Sequence, residues 1–313
     1  MLRAALRPVW RKVYPRIAEI ESVRQQSTWA AWCLLHYRSR ILQTPPVRGI
    51  SDEACEVHVL TSGKDWLNLL WSLKTFYHYA QVKYRLCIHE DGSLSTTALE
   101  TLETHFPDAR ILSRERMDSV TASALKTLPR SLAFRQTNNL SLKVFDVVLS
   151  AESDRILLLD SDLLFFERPE FLIEQASSLS LDRCWFNADI ESAYNVEPDD
   201  ALRESGIRLV PRLNTGLALF RRDVLRLDWF EEFLTLPGIL GHFWRIEQTL
   251  LALAGSRAGA SVLPPEYDVR LGRGGPFGPV RHYVGEIRHL MYGEGMRSLA
   301  RRGFLGLTNL ASV

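Results

Sequence analysis

Arg155-Ile156-Leu157-Leu158-Leu159-Asp160-Ser161-Asp162-Leu163-Leu164-Phe165-Phe166 (RILLLDSDLLFF) is the stretch around which the chain is organised. Four apolar residues, Ile156 to Leu159, run straight into Asp160-Ser161-Asp162, and a second apolar run follows. A run without polar alternation predicts a strand covered on both faces, the pattern of a parallel sheet in an α/β fold. Carboxylates at i and i+2 on extended backbone project from the same side. Two like charges held that close are costly unless a cation lies between them. The stretch therefore asks for a divalent cation at the carboxyl end of a buried strand, where open α/β sheets bind ligands.

Outward from this strand, the composition sets bounds. The 313 residues fit one large α/β domain or two modest ones, and 46% hydrophobic residues suffice for a packed core. A net charge of +1 gives no support for a nucleic-acid partner, which needs a basic surface. Cys33, Cys55, Cys87 and Cys184 are widely spaced, with no C-x-x-C pair, which fits a reducing compartment better than a disulfide framework. No apolar run approaches the ~20 residues of a membrane span. The basic N-terminus lacks the apolar core of a signal peptide. These features predict a cytoplasmic protein, with peripheral contact at the inner face of the membrane open as an addition.

Residues 1–48 read as a basic, aromatic helical arm. Nine cationic residues, from Arg3 to Arg48, face only Glu19 and Glu21, with Trp10, Tyr14, Trp29, Trp32 and Tyr37 interleaved. Such an arm suits anionic headgroups, but its charges are not confined to one helical face, which favours an arm that packs on the main domain or on a second copy in an oligomer. Residues 49–313 read as one domain with a tail from about 290. Strand Glu56–Leu60 precedes an amphipathic helix at 66–80, with Asp65 as its cap. Strand Tyr84–Ile88 is followed by a helix capped by Thr97 and Glu100, then by strand Ala109–Leu112. This alternation implies right-handed crossovers and a parallel sheet. Neither a dinucleotide fingerprint nor a P-loop follows the first strand. Residues 113–139 read as irregular, and a helix from about Ser141 carries Lys143. Strand 184–189 is followed by an acidic loop, 191–210. Asn214-Thr215-Gly216 reads as a turn opening an apolar strand, Glu247-Gln248 opens a helix, and Gly272 to Gly278 forms a Gly-rich loop.

Taken singly these are weak signals: an Asp-x-Asp is often a solvated turn, a single His an ordinary histidine, and Glu247 an acid suited to a helix N-terminus. Here the buried-strand context favours a metal site, and hard carboxylate oxygens suit Mn²⁺ or Mg²⁺.

In order, they resemble the GT-A-fold glycosyltransferases, most closely the family 8 type, the glycogenin and lipopolysaccharide galactosyl- and glucosyltransferase group. The residues that carry the resemblance are the apolar strand into Asp160-Ser161-Asp162, Asn214-Thr215-Gly216 before an apolar strand, Glu247-Gln248, and His282-Tyr283-Val284-Gly285-Glu286-Ile287-Arg288. It spans about residues 55–290. The resemblance implies a GT-A fold and a metal-dependent transfer from a nucleotide-diphospho-sugar, usually a UDP-sugar, with retention at the anomeric carbon. It implies that Asp160, Asp162 and His282 hold the cation and that Arg288, in place of the family's Lys, contacts the diphosphate. Lys143, Thr61 and Gly285 would lie near the donor, and Trp66 near the base. Asn214, Glu247 and Gln248 would line the sugar pocket, with Gln248 by the anomeric carbon. Asn187, Asp189 and Asp268 are candidates for the sugar or acceptor side. The family's base-reading acid in the first βα turn aligns with Ser62 or Gly63. The acceptor, a saccharide or a lipid-linked sugar, is not readable. The rival readings are a haloacid-dehalogenase-like phosphatase, which also ends a strand with Asp-x-Asp, and a degenerate transferase-like binding protein.

Overall fold

The computed structural model describes residues 17–178 and 180–306. Nine strands are present among them: β1 (Asp52–Thr61), β2 (Tyr84–Glu90), β3 (Arg110–Leu112), β4 (Arg155–Leu159), β5 (Leu163–Phe165), β6 (Cys184–Ala188), β7 (Leu213–Arg221), β8 (Ala260–Val262) and β9 (Val280–His282). Seven form one sheet in the order β3-β2-β1-β4-β7-β6-β8, and β5 and β9 form a separate antiparallel pair. The pairs β1–β2, β2–β3, β1–β4 and β6–β8 are parallel; β7 runs antiparallel to both its neighbours. The sheet is thus mostly parallel, with one reversed central strand.

The unbroken apolarity of β4 has the expected cause. Leu157 and Leu159 enter one hydrophobic cluster and Ile156 and Leu158 enter the other, one on each face of the sheet. Period-two alternation therefore yields no polar position, because both faces are dry. Helix Trp66–Ala80 covers the first cluster; helices Leu142–Ser150 and Ile246–Ala258 cover the second.

The described part of the basic arm is helical over 17–26 and Thr28–Tyr37, with Ser27 between them in an extended conformation. The Ser27 hydroxyl accepts from Ala30 N at 3.2 Å and so caps the second helix. Ala30, Ala31, Cys33, Leu34 and Ile41 are buried in the first cluster, against Met291, Tyr292 and Met296 near the C-terminus. Residues 1–16, which carry five of the arm's cations, lie outside the described residues.

Several local expectations are corrected. Asp65 makes no cap hydrogen bond to its helix; its carboxylate is drawn instead to Ser62 and Arg288. Ser95, not Thr97, caps the next helix, accepting from Ala98 N at 3.2 Å. Residues 113–139 contain two helices, Arg114–Ala124 and Pro129–Thr137, and the acidic stretch contains a third, Pro198–Ser205. Their exposed faces are polar and few positions are buried, so periodicity was weak; Ser113, Pro129 and Pro198 are the signals that start them. Asn214-Thr215-Gly216 is no turn but part of β7, hydrogen-bonded to its neighbours.

Candidate active site

The site lies at the carboxyl end of β4. Asp160-Ser161-Asp162 is a turn between β4 and β5, so the two carboxylates converge through that turn rather than through strand alternation. Asp160 N donates to Gly216 O at 2.8 Å, extending the β4–β7 ladder by one residue. Because β7 is reversed, its first residues, Asn214 to Gly216, arrive where β4 ends. β9 pairs with β5, with Leu163 opposite His282, and so carries His282 to the same place. His282 Nε2 is 3.1 Å from Asp162 Oδ1 and 3.9 Å from Asp160 Oδ2. Ligand atoms of Asp160, Asp162 and His282 all lie within 4.8 Å of one another. A hard divalent cation takes carboxylate oxygens and a neutral imidazole nitrogen in such an arrangement, so this donor set fits Mn²⁺ or Mg²⁺.

Gly216 makes room for that ligand. A Cβ built there would lie 2.1 Å from His282 Cε1 and 2.8 Å from both ring nitrogens. The Cε1 edge of the imidazole lies against bare backbone, a close approach only glycine allows.

Two cationic side chains flank the carboxylates. Lys143 Nζ is 2.9 Å from Asp160 Oδ1 and 3.2 Å from Glu247 Oε1. Burial lowers the Lys143 pKa, but Asp160 and then Glu247 more than offset this, and the ammonium is held above its ordinary value. Burial drives the Glu247 carboxyl above its ordinary value, with Lys143 opposing. Arg288 Nη2 is 2.6 Å from Asp162 Oδ2, and Arg288 Nη1 is 3.2 Å from Asp65 Oδ1. Burial pushes the Asp162 carboxyl upward, but His282 and Arg288 overcome it and hold that group far below the usual carboxylate range.

These residues line a cleft of ≈ 860 Å³. Thr61, Lys143, Asp160, Asp162, Asn214, Glu247, Gln248, His282, Gly285 and Arg288 all face it. Asn187, Asp189 and Asp268 lie outside its lining. Asp189 Oδ2 accepts from Asn214 Nδ2 at 2.8 Å, and Asn187 Oδ1 accepts from Leu217 N at 3.2 Å, so both brace β7 from behind. Asp268 sits 3.6 Å from Arg212. Trp66 is half-buried against the first cluster and does not line the cleft.

The cleft also contains residues that sequence reasoning passed over. Asp65, read as a helix cap, is the acid that the first βα turn contributes, three residues beyond Ser62. Tyr292 and Trp244 carried no motif. A second polar group, His58, Cys87 and His89, is fully buried on one face of β1 and β2, with His58 Nδ1 2.9 Å from His89 Nε2 and Glu56 Oε2 3.2 Å from His58 Nε2. Its signal was a histidine in each of two adjacent parallel strands.

No protein-family model matches this sequence, and no curated protein matches it. Solved structures do. An active-site mutant of LgtC matches over 79% of this chain and 95% of its own, with 13% identity and a TM-score of 0.52. Galactosyltransferase LgtC in complex with donor and acceptor sugar analogs matches over 82% of this chain and 97% of its own, with 11% identity and a TM-score of 0.50. The bifunctional glycosyltransferase WbbM matches at 13% identity and a TM-score of 0.47; the alignment covers 77% of this chain and 47% of WbbM, so this chain spans about half the length of that protein. The likenesses to LgtC, together with the strand order, show the fold, and the chain has the GT-A glycosyltransferase fold.

Proposed function

We propose that this protein is a metal-dependent glycosyltransferase that moves a sugar from a nucleotide-diphospho-sugar, with UDP-sugars favoured, to an acceptor hydroxyl with retention of anomeric configuration. The convergence of Asp160, Asp162 and His282, flanked by Lys143 and Arg288 in one cleft of a GT-A fold, carries the reading.

A bound Mn²⁺ or Mg²⁺ held by Asp160, Asp162 and His282 would neutralise the diphosphate as its bond to the sugar breaks. The residues of the chain do the rest. Arg288, with its fork already fixed by Asp162 and Asp65, offers its charge to the departing phosphate oxygens. Lys143 fixes Asp160 and keeps the buried Glu247 paired. Asn214 is oriented by two hydrogen bonds, donating to Asp189 and accepting from Gly216 N, so its side chain is set before any sugar arrives. Gln248 lies beside Glu247 on the same cleft wall. In a retaining reaction the acceptor attacks from the face the diphosphate leaves, and the leaving phosphate oxygen takes its proton, so no carboxylate base is required.

A panel of nucleotide-sugars scored for hydrolysis with and without Mn²⁺ tests the donor and metal together. Absence of any metal-dependent hydrolysis or nucleotide binding would reject the reading. Asp162→Asn should abolish the metal response, and NMR of the product anomer decides retention against inversion.

We further propose a cytoplasmic enzyme whose arm touches the inner face of the membrane, with a saccharide or lipid-linked acceptor. Support comes from Trp29, Trp32 and Leu35, all exposed on helix Thr28–Tyr37, with the Arg297 guanidinium 5.2 Å from the Trp29 ring centroid. Among the described residues no helix is long and apolar enough to cross a membrane. Trp29→Ser with Trp32→Ser should release the protein from anionic vesicles in co-sedimentation; unchanged binding would remove the arm from this role.

A further inference from the structure

Two chains of ion pairs leave the Asp160-Ser161-Asp162 turn in different directions. One runs from Asp160 through Lys143 at 2.9 Å to Glu247 at 3.2 Å, with Gln248 next to it. The other runs from Asp162 through Arg288 at 2.6 Å to Asp65 at 3.2 Å. A separate network beside the second chain reaches the arm. Arg38 donates to Asn68 Oδ1 at 2.8 Å, to Lys64 O at 2.5 Å and to Glu19 Oε2 at 2.8 Å. Asn68 in turn donates to the Tyr292 hydroxyl at 3.2 Å. Arg38 and Glu19 are both nearly buried at their side chains, 8% and 11% exposed, so this is a fixed joint rather than a loose surface pair.

The joint fastens helix 17–26 over the cleft. Glu19, Ser22, Val23 and Gln26 all line it, and their spacing, i, i+3, i+4 and i+7, is one helical face. Through Arg38, which donates to both Glu19 and Lys64 O, this face is tied to the Thr61 to Asp65 turn.

A nucleotide-diphospho-sugar held by its diphosphate at Asp160 and Asp162 has two substituents, and they leave in different directions. If the sugar goes to Glu247 and Gln248, the nucleoside goes to the Thr61–Asp65 turn and the helix. We infer that helix 17–26 is the outer wall of the nucleoside subsite: Ser22 and Gln26 recognise the base and ribose by hydrogen bonds, and Arg38 is a positioning residue that holds the helix there. This inference rests on the donor reading proposed above. A Gln amide offers both donor and acceptor and a Ser hydroxyl either, which suits the mixed edge of a base and the ribose hydroxyls. Ser22 and Gln26 are exposed, so truncating them leaves the core untouched.

The test is calorimetric titration of the full-length protein with Mn²⁺, using UDP and inorganic pyrophosphate as probes. For the double variant Ser22→Ala/Gln26→Ala, UDP Kd should rise about tenfold, as expected for two lost hydrogen bonds, while pyrophosphate Kd stays at its wild-type value. Arg38→Met should weaken UDP at least as much and raise donor KM with little change in kcat. Wild-type protein that binds UDP, together with a stable double variant that binds it within twofold, overturns this inference alone. Wild-type protein that binds neither probe overturns the donor reading and this inference with it. A parallel loss of UDP and pyrophosphate in the double variant overturns the nucleoside assignment.

Discussion

Gly216→Ala is the most demanding test of the site geometry. The added methyl would meet His282 Cε1 at 2.1 Å and both ring nitrogens at 2.8 Å. Ordinary carbon contacts lie near 3.5 Å, so the imidazole must retreat by about 1.4 Å, or β7 must give by that amount. β7 gives poorly: Asp160 N is hydrogen-bonded to Gly216 O, Gly216 N to Asn214 Oδ1, and Leu217 N to Asn187 Oδ1. Metal–ligand bonds tolerate errors of only about 0.2 Å, so a ring displaced this far no longer coordinates. The expected result is a fall of about 10- to 100-fold or more in Mn²⁺ affinity, similar to His282→Ala. Overpacking should also cost about 1–3 kcal/mol of stability. The assays are Mn²⁺ titration of nucleotide-sugar hydrolysis and urea unfolding of Gly216→Ala, His282→Ala and the double variant. Since the clash needs the ring, the stability cost of the methyl should largely vanish when His282 is already Ala, giving a coupling energy of about 1–3 kcal/mol. Wild-type Mn²⁺ response in Gly216→Ala, or strict additivity of the two changes, would refute the packing of His282 on Gly216.

Lys143→Met should leave Glu247 a buried carboxylate without its counter-charge, beside the partly exposed Asp160, and cost about 3 kcal/mol in urea unfolding; a loss below about 1 kcal/mol would mean the lysine is not the buried counter-charge. Lys74 tests a group outside the site: burial pushes its ammonium down to about 7, and its hydrogen-bond partners among the described residues are the carbonyls of Thr44 and Pro45. The unfolded chain keeps that proton up to about 10.4, so it binds more protons than the native state across this range, and stability rises with pH. The contribution between pH 7 and 9 is about 2 kcal/mol, and Lys74→Met should remove that rise from the unfolding free energy measured at both pH values. Ser95→Ala should cost about 1 kcal/mol and Thr97→Ala close to nothing, because only Ser95 caps; equal costs would restore the capping-box reading.

Much of the fold was legible because hydrophobic pattern reports burial directly. The Trp66–Ala80 helix and the β4 run were visible for that reason. The Asp-x-Asp, Asn-x-Gly, Glu-Gln and His motifs were legible as a set, and the structure brings their residues to one cleft. The reversal of β7 was not legible: a fully buried strand has the same composition in either direction, and only the β4 register fixes it. Helices Arg114–Ala124 and Pro198–Ser205 bury too few positions to show a period. Asp65 was misassigned because a carboxylate at a helix start has an adequate local explanation, while its partner Arg288 lies 223 residues away. The same distance problem hid Arg38, whose three contacts belong to residues with no motif of their own.

The sequence separations of the site also govern when it can form. Asp162 meets His282 and Arg288 across 120 and 126 residues. During synthesis at about 5–20 residues per second, Asp162 precedes Arg288 by roughly 6–25 seconds. Through nearly all of that interval its carboxylate has neither His282 nor Arg288 beside it, and burying it unpaired would be unfavourable. The β4–β5 turn must therefore stay hydrated on the nascent chain while β1, β2 and β3, already synthesised, assemble. The cleft then closes only after Arg288 has been made, and a chain stalled before residue 282 would expose its two aspartates to solvent with the parallel half of the sheet already built.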